Sequence, residues 1–196
     1  MVKSRSYDET MRTALGFRAH SGWAAMIAAG GAIDAPRVLD RRRLVIADPA
    51  MPHARQPFHA AAELPLTAAA ALVCEALASS RALAADAIAA AVKSLQSKGH
   101  EVAVTAVLWG SAKPMPELGR ILASHALIHT AEGQMFREAL LLGAQDCGVP
   151  VDRVPEKELG SDLLTRIDSL GRLLGPPWTQ DQKYATLAAL IALARH

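Results

Sequence analysis

Residues 15–47, LGFRAHSGWAAMIAAGGAIDAPRVLDRRRLVIA, decide the architecture of this chain. The small, apolar run 15–30 predicts a strand that ends at the glycine pair Gly30-Gly31. Ala35-Pro36 then turns the chain into a second strand over 37–47. Here Val38, Leu44 and Ile46 are expected on one side, with Arg41 and Arg43 on the other. Residues 48–56, with Pro49, Pro52 and His53, read as a loop, and a third short strand is predicted at 57–63. Three strands before any long helix point to a meander. An ordinary doubly wound sheet would alternate strand and helix from its start.

Downstream the pattern changes. Residues 67–98 are rich in alanine and leucine and predict helix, with a break at Ser79-Ser80-Arg81, a second piece opened by Asp86, and Gly99 just past the end. The mostly apolar 101–108, EVAVTAVL, suits a central parallel strand. A helix over 117–147, a strand over 149–154 and a helix over 161–174 follow, the last stopped by Gly175-Pro176-Pro177. Thr179, with Gln182 three residues on, is a capping-box start for the final helix. The order β-β-β-α-β-α-β-α predicts an α/β chain: a mixed sheet with helices on both faces, residues 1–14 as an N-terminal extension and 15–196 as one domain.

The bulk numbers narrow the function classes. A chain of 196 residues is long enough to bury a sizeable core, and 51% apolar with 20% charged residues excludes general disorder. A net charge of +2 makes no overall electrostatic case for nucleic acid. The local exception is the basic cluster Arg37, Arg41, Arg42 and Arg43. Cys74 and Cys147 are isolated thiols, which suggests neither a disulfide framework nor a metal knuckle and fits a reducing cytoplasm. The first residues lack the apolar core of a signal peptide. The most apolar stretch, 185–194, is about half the length of a bilayer span. The expectation is a soluble cytoplasmic protein without a membrane partner.

The 117–147 helix holds the best candidate site. At about 100° per residue, His129 lies near +40° and Glu132 near −20° from His125. Leu118, Ile121, Leu122, Phe136, Ala139 and Leu140 share that face, while Arg120, Thr130, Gln134, Arg137 and Glu138 point away. Three ionisable groups thus sit in an apolar stripe, and a buried Glu132 needs a partner. His125, His129 and Glu132 have the one-face spacing that offers two imidazoles and a carboxylate to one divalent ion, with His20 or Asp181 as a further ligand. The same residues also suit a buried hydrogen-bond network, with Glu132 bonded to a histidine or to Arg18, or a metal-free acid–base pair.

Residues 121–159, ILASHALIHTAEGQMFREALLLGAQDCGVPVDRVPEKEL, with the small-residue Ala131-Glu132-Gly133 turn, resemble the long helix and following strand of the bacterial Holliday-junction resolvases of the ribonuclease H-like superfamily. Residues 174–193, LGPPWTQDQKYATLAALIAL, resemble their final helix, whose first turn carries an acid. The resemblance implies a ribonuclease H-like fold, and it implies phosphodiester cleavage by divalent ions held on carboxylates from the first strand, the fourth strand and the last helix. Only the last of these maps, onto Asp181. The first strand offers Arg18, His20 and Ser21 instead, and the fourth ends in Leu108-Trp109-Gly110-Ser111.

The leading expectation is therefore a divergent member that binds nucleic acid or another phosphate-bearing ligand without two-metal nuclease activity. His20, His129, Glu132 and Asp181 are its candidate acid–base residues, and Arg18, Ser21, Trp109, Gln180 and Lys183 its candidate ligand contacts. Two alternatives stay open. One is a hydrolase or nuclease using a metal on His125, His129 and Glu132. The other is a structural protein whose polar helix face meets a second copy in a homo-oligomer.

Overall fold

The computed structural model describes residues 10–110 and 114–196; the first nine residues of the expected extension and three of the loop after the fourth strand lie outside them. Five strands form one sheet: β1 (Arg12–His20), β2 (Trp23–Ala32), β3 (Ala35–Val45), β4 (Glu101–Trp109) and β5 (Val151–Pro155). Their order is β3-β2-β1-β4-β5. β2 is antiparallel to both β1 and β3, while β4 is parallel to β1 and β5. A meander thus leads into parallel strands joined by helical crossovers, the α/β architecture expected.

Its elements differ from the expected ones in several places. The run 15–30 is a hairpin, not one strand: β1 and β2 pair from His20↔Trp23 back to Thr13↔Gly30, around Ser21 and Gly22. Gly22 sits at φ 79°, the left-handed region that glycine enters without steric cost. β1 also starts at Arg12, so residues 12–14 belong to the domain, not to an extension. The expected strand at 57–63 is a short helix, α1 (Pro57–Ala61), with Pro57 in its first turn, where the missing N–H costs nothing. The long helix expected over 117–147 breaks at Ala123-Ser124 into α3 (Leu118–Leu122) and α4 (His125–Asp146), because Ser124 is extended at φ −137°.

The alternation in β3 is shifted as well. Asp40 pairs with Ala28 and Val38 with Ala29, so Leu39 is a bulge. Val38 consequently packs on one side of the sheet, and Leu44 and Ile46 on the other. By contrast α2 (Leu66–Gln96) runs unbroken through Ser79-Ser80-Arg81, with Ser80 buried. It is the one described helix long and apolar enough to cross a membrane, and its residues Ala76, Ala84, Ile88 and Leu95 are buried in the core.

Helices cover both faces. Leu15 and Phe17 of β1 join a core with α1, α2 and α4. Ala14 on the opposite face joins a core with α5 (Ser161–Asp168) and α7 (Gln180–Arg195), α6 (Leu170–Leu174) lying between these two helices in sequence. α7 begins with the expected capping box: the Thr179 hydroxyl accepts from the Gln182 N–H, and the Gln182 side chain accepts from the Thr179 N–H at 3.0 Å. Its Ala185, Ala188, Ala189 and Ala192 are fully buried. Gly16 permits this approach, because a Cβ there would lie 1.8 Å from the Ala185 carbonyl oxygen.

Candidate functional site

The face of β1 toward α7 changes character along the strand. Ala14 and Gly16 are small and sit under the helix; Arg18 and His20, two and four residues on, emerge beside its first turn. Both meet Asp181. Arg18 Nε lies 3.1 Å from Asp181 Oδ1, and His20 Nε2 donates to the same oxygen at 3.0 Å. Arg18 Nη1 is buried and finds no acceptor among the described residues. The guanidinium also stands 4.3 Å over the Tyr184 ring.

Two hollows flank this triad. One, of about 230 Å³, is lined by Arg18, His20, Leu108, Gly110, Arg137 and Glu156. Burial is the largest influence on Arg137 and pulls its guanidinium below the usual value; Glu156 counteracts this and Arg18 adds to it. The other hollow, of about 600 Å³, lies between β2, β3 and the start of α7, and is lined by Trp23, Arg41, Arg42, Arg43, Asp181 and Gln182 among others. Trp23 stacks on His20, with centroids 4.3 Å apart and planes 10° from parallel, and lies 3.6 Å beneath the Arg43 guanidinium. Arg41 has a different task. It donates to the carbonyls of Leu174, Gly175 and Pro177 and so ties β3 to the segment before α7. Arg42 pairs with Asp40. Guanidinium groups outnumber carboxylates here, so the cleft suits an anion.

The remaining expected contacts fall elsewhere. Ser21 is exposed on the β1–β2 turn and has no hydrogen bond to His20 among the described residues. Trp109 packs against the core on the opposite face, under the Arg153 guanidinium at 4.4 Å. Gln180 is exposed at the start of α7, and Lys183 braces α7 through Asp168 at 2.7 Å. Arg137, assigned by its angle to the outward side of its helix, lines the cleft; Arg43 belongs to the basic cluster expected from the sequence, whereas Trp23 and Glu156 carry no sequence signal that marks them.

The stripe on α4 is also rearranged. Glu132 is buried at 2% exposure, whereas His125 and His129 are exposed at the start of the helix, so only one of the three is a core residue. The partner of Glu132 is neither Arg18 nor His20. Its Oε1 accepts from His59 Nδ1 at 2.9 Å and from the His59 backbone N–H at 3.3 Å. The groups that converge here are His59, His125 and His129, with Glu132 behind the first of them. His59, from α1, stands in the place that the sequence spacing had given to Glu132.

The resemblance to Holliday-junction resolvases implies divalent ions on carboxylates between the first strand, the fourth strand and the last helix, and the residues here do not fit that group. Arg18 on β1 already holds a positive charge against Asp181, and the sequence at the end of β4 supplies no acid.

No protein-family model and no curated protein sequence matches this chain. Solved structures do. The chain is similar to the Thermus thermophilus RuvC in complex with Holliday junction substrate, with a TM-score of 0.56 and 14% identity, covering 94% of this chain and 95% of that one. A second Thermus thermophilus RuvC structure gives a TM-score of 0.53 and 13% identity over 93% and 95% of the two chains. Such low identity speaks for the fold. The five-stranded mixed sheet, with its meander and its helices on both faces, is a ribonuclease H-like fold that has a Holliday-junction resolvase as structural counterpart over nearly its whole length.

Proposed function

We propose that this chain binds nucleic acid, or another phosphate-bearing ligand, in the cleft around Arg18, Arg43 and Arg137, without two-metal phosphodiester cleavage. The observation that carries this reading is the Arg18–Asp181 contact at 3.1 Å. A carboxylate in the first turn of α7 that held a metal would need other carboxylates around it, not a guanidinium against its oxygen. With Asp181 neutralised, the surplus charge comes from arginines, whose planar donors match phosphate oxygens. Arg18 Nη1, buried without an acceptor among the described residues, is one donor such an oxygen would satisfy. The similarity in fold to a protein solved with a Holliday junction makes branched DNA the first probe.

The test is fluorescence anisotropy with four-way and linear duplexes, from about 50 to 200 mM salt. Arg18→Ala, Arg43→Ala and Arg137→Ala should each weaken binding. Each lost phosphate contact flattens the slope of log K against log salt by about 0.9. Incubation with magnesium or manganese should leave the DNA intact. No retention at low salt, or metal-dependent cleavage that Asp181→Asn abolishes, would refute the proposal.

A further inference from the structure

The layer opposite α7 carries a second constellation. His59 comes from α1; His125 and His129 are at i and i+4 in the first turns of α4, and so lie on one helix face. One ligand atom from each lies within 4.8 Å of the others. The ring centres are 4.5, 4.7 and 5.5 Å apart, with interplanar angles of 66–87°. A tetrahedral ion with bonds of about 2.0–2.1 Å spaces its nitrogens about 3.3 Å apart and the ring centres about 5 Å apart. The rings therefore already stand at metal-site spacing, and modest χ rotations bring the nitrogens in.

The surroundings add what three surface histidines alone would lack. Glu132 is 2% exposed and accepts from His59 Nδ1 at 2.9 Å, which fixes the proton on Nδ1 and leaves the Nε2 lone pair for a ligand. The Glu132 bond to the His59 backbone N–H, at 3.3 Å, holds the ring's base as well. A buried carboxylate behind a ligating imidazole orients the ring and raises its basicity. It also supplies a negative charge that no cation among the described residues neutralises by direct contact except His59 itself, if protonated. His125 and His129 are exposed, so an ion would keep a fourth position open to solvent.

We propose that His59, His125 and His129 bind one zinc ion, with Glu132 as the positioning residue behind His59. The donor set selects the metal: three neutral nitrogens suit zinc, nickel or copper, while magnesium and calcium take oxygen ligands. An ion here joins α1 to α4, two helices with no other ion pair between them among the described residues. This proposal does not rest on the nucleic-acid reading: it uses none of the residues of the arginine cleft, although Arg137 of that cleft lies further along α4.

The experiment uses the full chain stripped of metal, with no nucleic acid present. Zinc is titrated by calorimetry, and cobalt by its visible absorption, which reports tetrahedral nitrogen coordination. One ion per chain is expected, with an upward shift of the melting temperature. His59→Ala and His129→Ala should each remove saturable binding, and Glu132→Gln should weaken it about 10- to 100-fold while leaving the ligands in place. His129 is exposed, so the metal-free melting of its variant should match that of the parent chain. An absence of saturable uptake overturns the proposal, as does uptake that the His59 and His129 variants leave unchanged.

Discussion

Replacing Gly16 by alanine tests the packing on which the cleft depends. An added Cβ would lie 1.8 Å from the Ala185 carbonyl oxygen and 2.9 Å from the Ala189 nitrogen, both backbone atoms of α7. No rotamer change relieves a clash with backbone. α7 must recede by about 1.6 Å to reach the 3.4 Å of ordinary van der Waals contact. The helix buries Leu187 and four alanines completely against the sheet, so a gap of that size forfeits a large part of their dispersion energy. Overpacking typically costs about 1–3 kcal/mol, and a clash with rigid backbone belongs at the upper end, about 3 kcal/mol. For a chain of this size that is a fall of roughly 6–12 °C in melting temperature. Gly143→Ala is the control. Its Cβ would lie 2.8 Å from the Ala85 nitrogen on the other face, a smaller overlap, and alanine in a helix interior regains up to about 1 kcal/mol in propensity. Thermal melting of both variants beside the parent chain is the assay. If Gly16→Ala melts within about 2 °C of the parent, the close approach of α7 to β1 does not carry the energy assigned to it.

Two further outcomes follow from side-chain environments. Cys74 is exposed, whereas Cys147 is half-buried, its Sγ donating to the Ala85 carbonyl at 3.3 Å, and burial pushes its thiol above the ordinary 9.0. Iodoacetamide near neutral pH should therefore label one thiol per chain quickly and the second only in denaturant; equal rates would contradict the placement of Cys147. The Arg81–Asp146 pair, joined at 2.6 Å, sets a pH dependence: the Arg81 hydrogen bond, the largest influence, holds the Asp146 carboxyl below its ordinary 3.8. A depressed carboxyl adds stability above its unfolded value and loses it as pH falls through the folded one. Arg81→Gln should consequently be slightly less stable than the parent at neutral pH, with the gap closing in acid below about pH 3.8. A gap that persists at pH 2 in acid-unfolding curves would show that the pair is not its source.

The sequence reading reached five strands and the right order through two errors that cancel. Residues 15–30 carry apolar groups on both sides because β1 and β2 are inner strands covered on both faces. Without alternation, the Ser21-Gly22 turn passes unnoticed. The missing strand was then supplied at 57–63, where five apolar and aromatic positions are too few to separate a helical period from a strand. Asp181 was legible from its helix start and from the resemblance. His59 was not: it contacts Glu132 across 73 positions in sequence, so no spacing rule connects them. Arg137 shows another limit. Angular position gives the side of a helix that leaves the core, but it does not distinguish bulk solvent from a cleft.

Gly16 and the arginine site are linked by register. β1 rises about 3.3 Å per residue, so Arg18 lies about 6.6 Å beyond Gly16 toward the end of the strand. α7 rises about 1.5 Å per residue, so Asp181 lies about 6 Å before Ala185. The two paths start from a backbone contact, Gly16 against Ala185, and end at an ion pair, so strand and helix run in opposite directions and arrive at the same height. The even-numbered parity of β1 places Arg18 and His20 on the face toward the helix, and the rise of the two elements brings both to Asp181. A residue larger than glycine at position 16 would thus separate the ion pair as well as loosen the core. Gly16→Ala should weaken anion binding even in the fraction that stays folded, whereas Gly143→Ala should not.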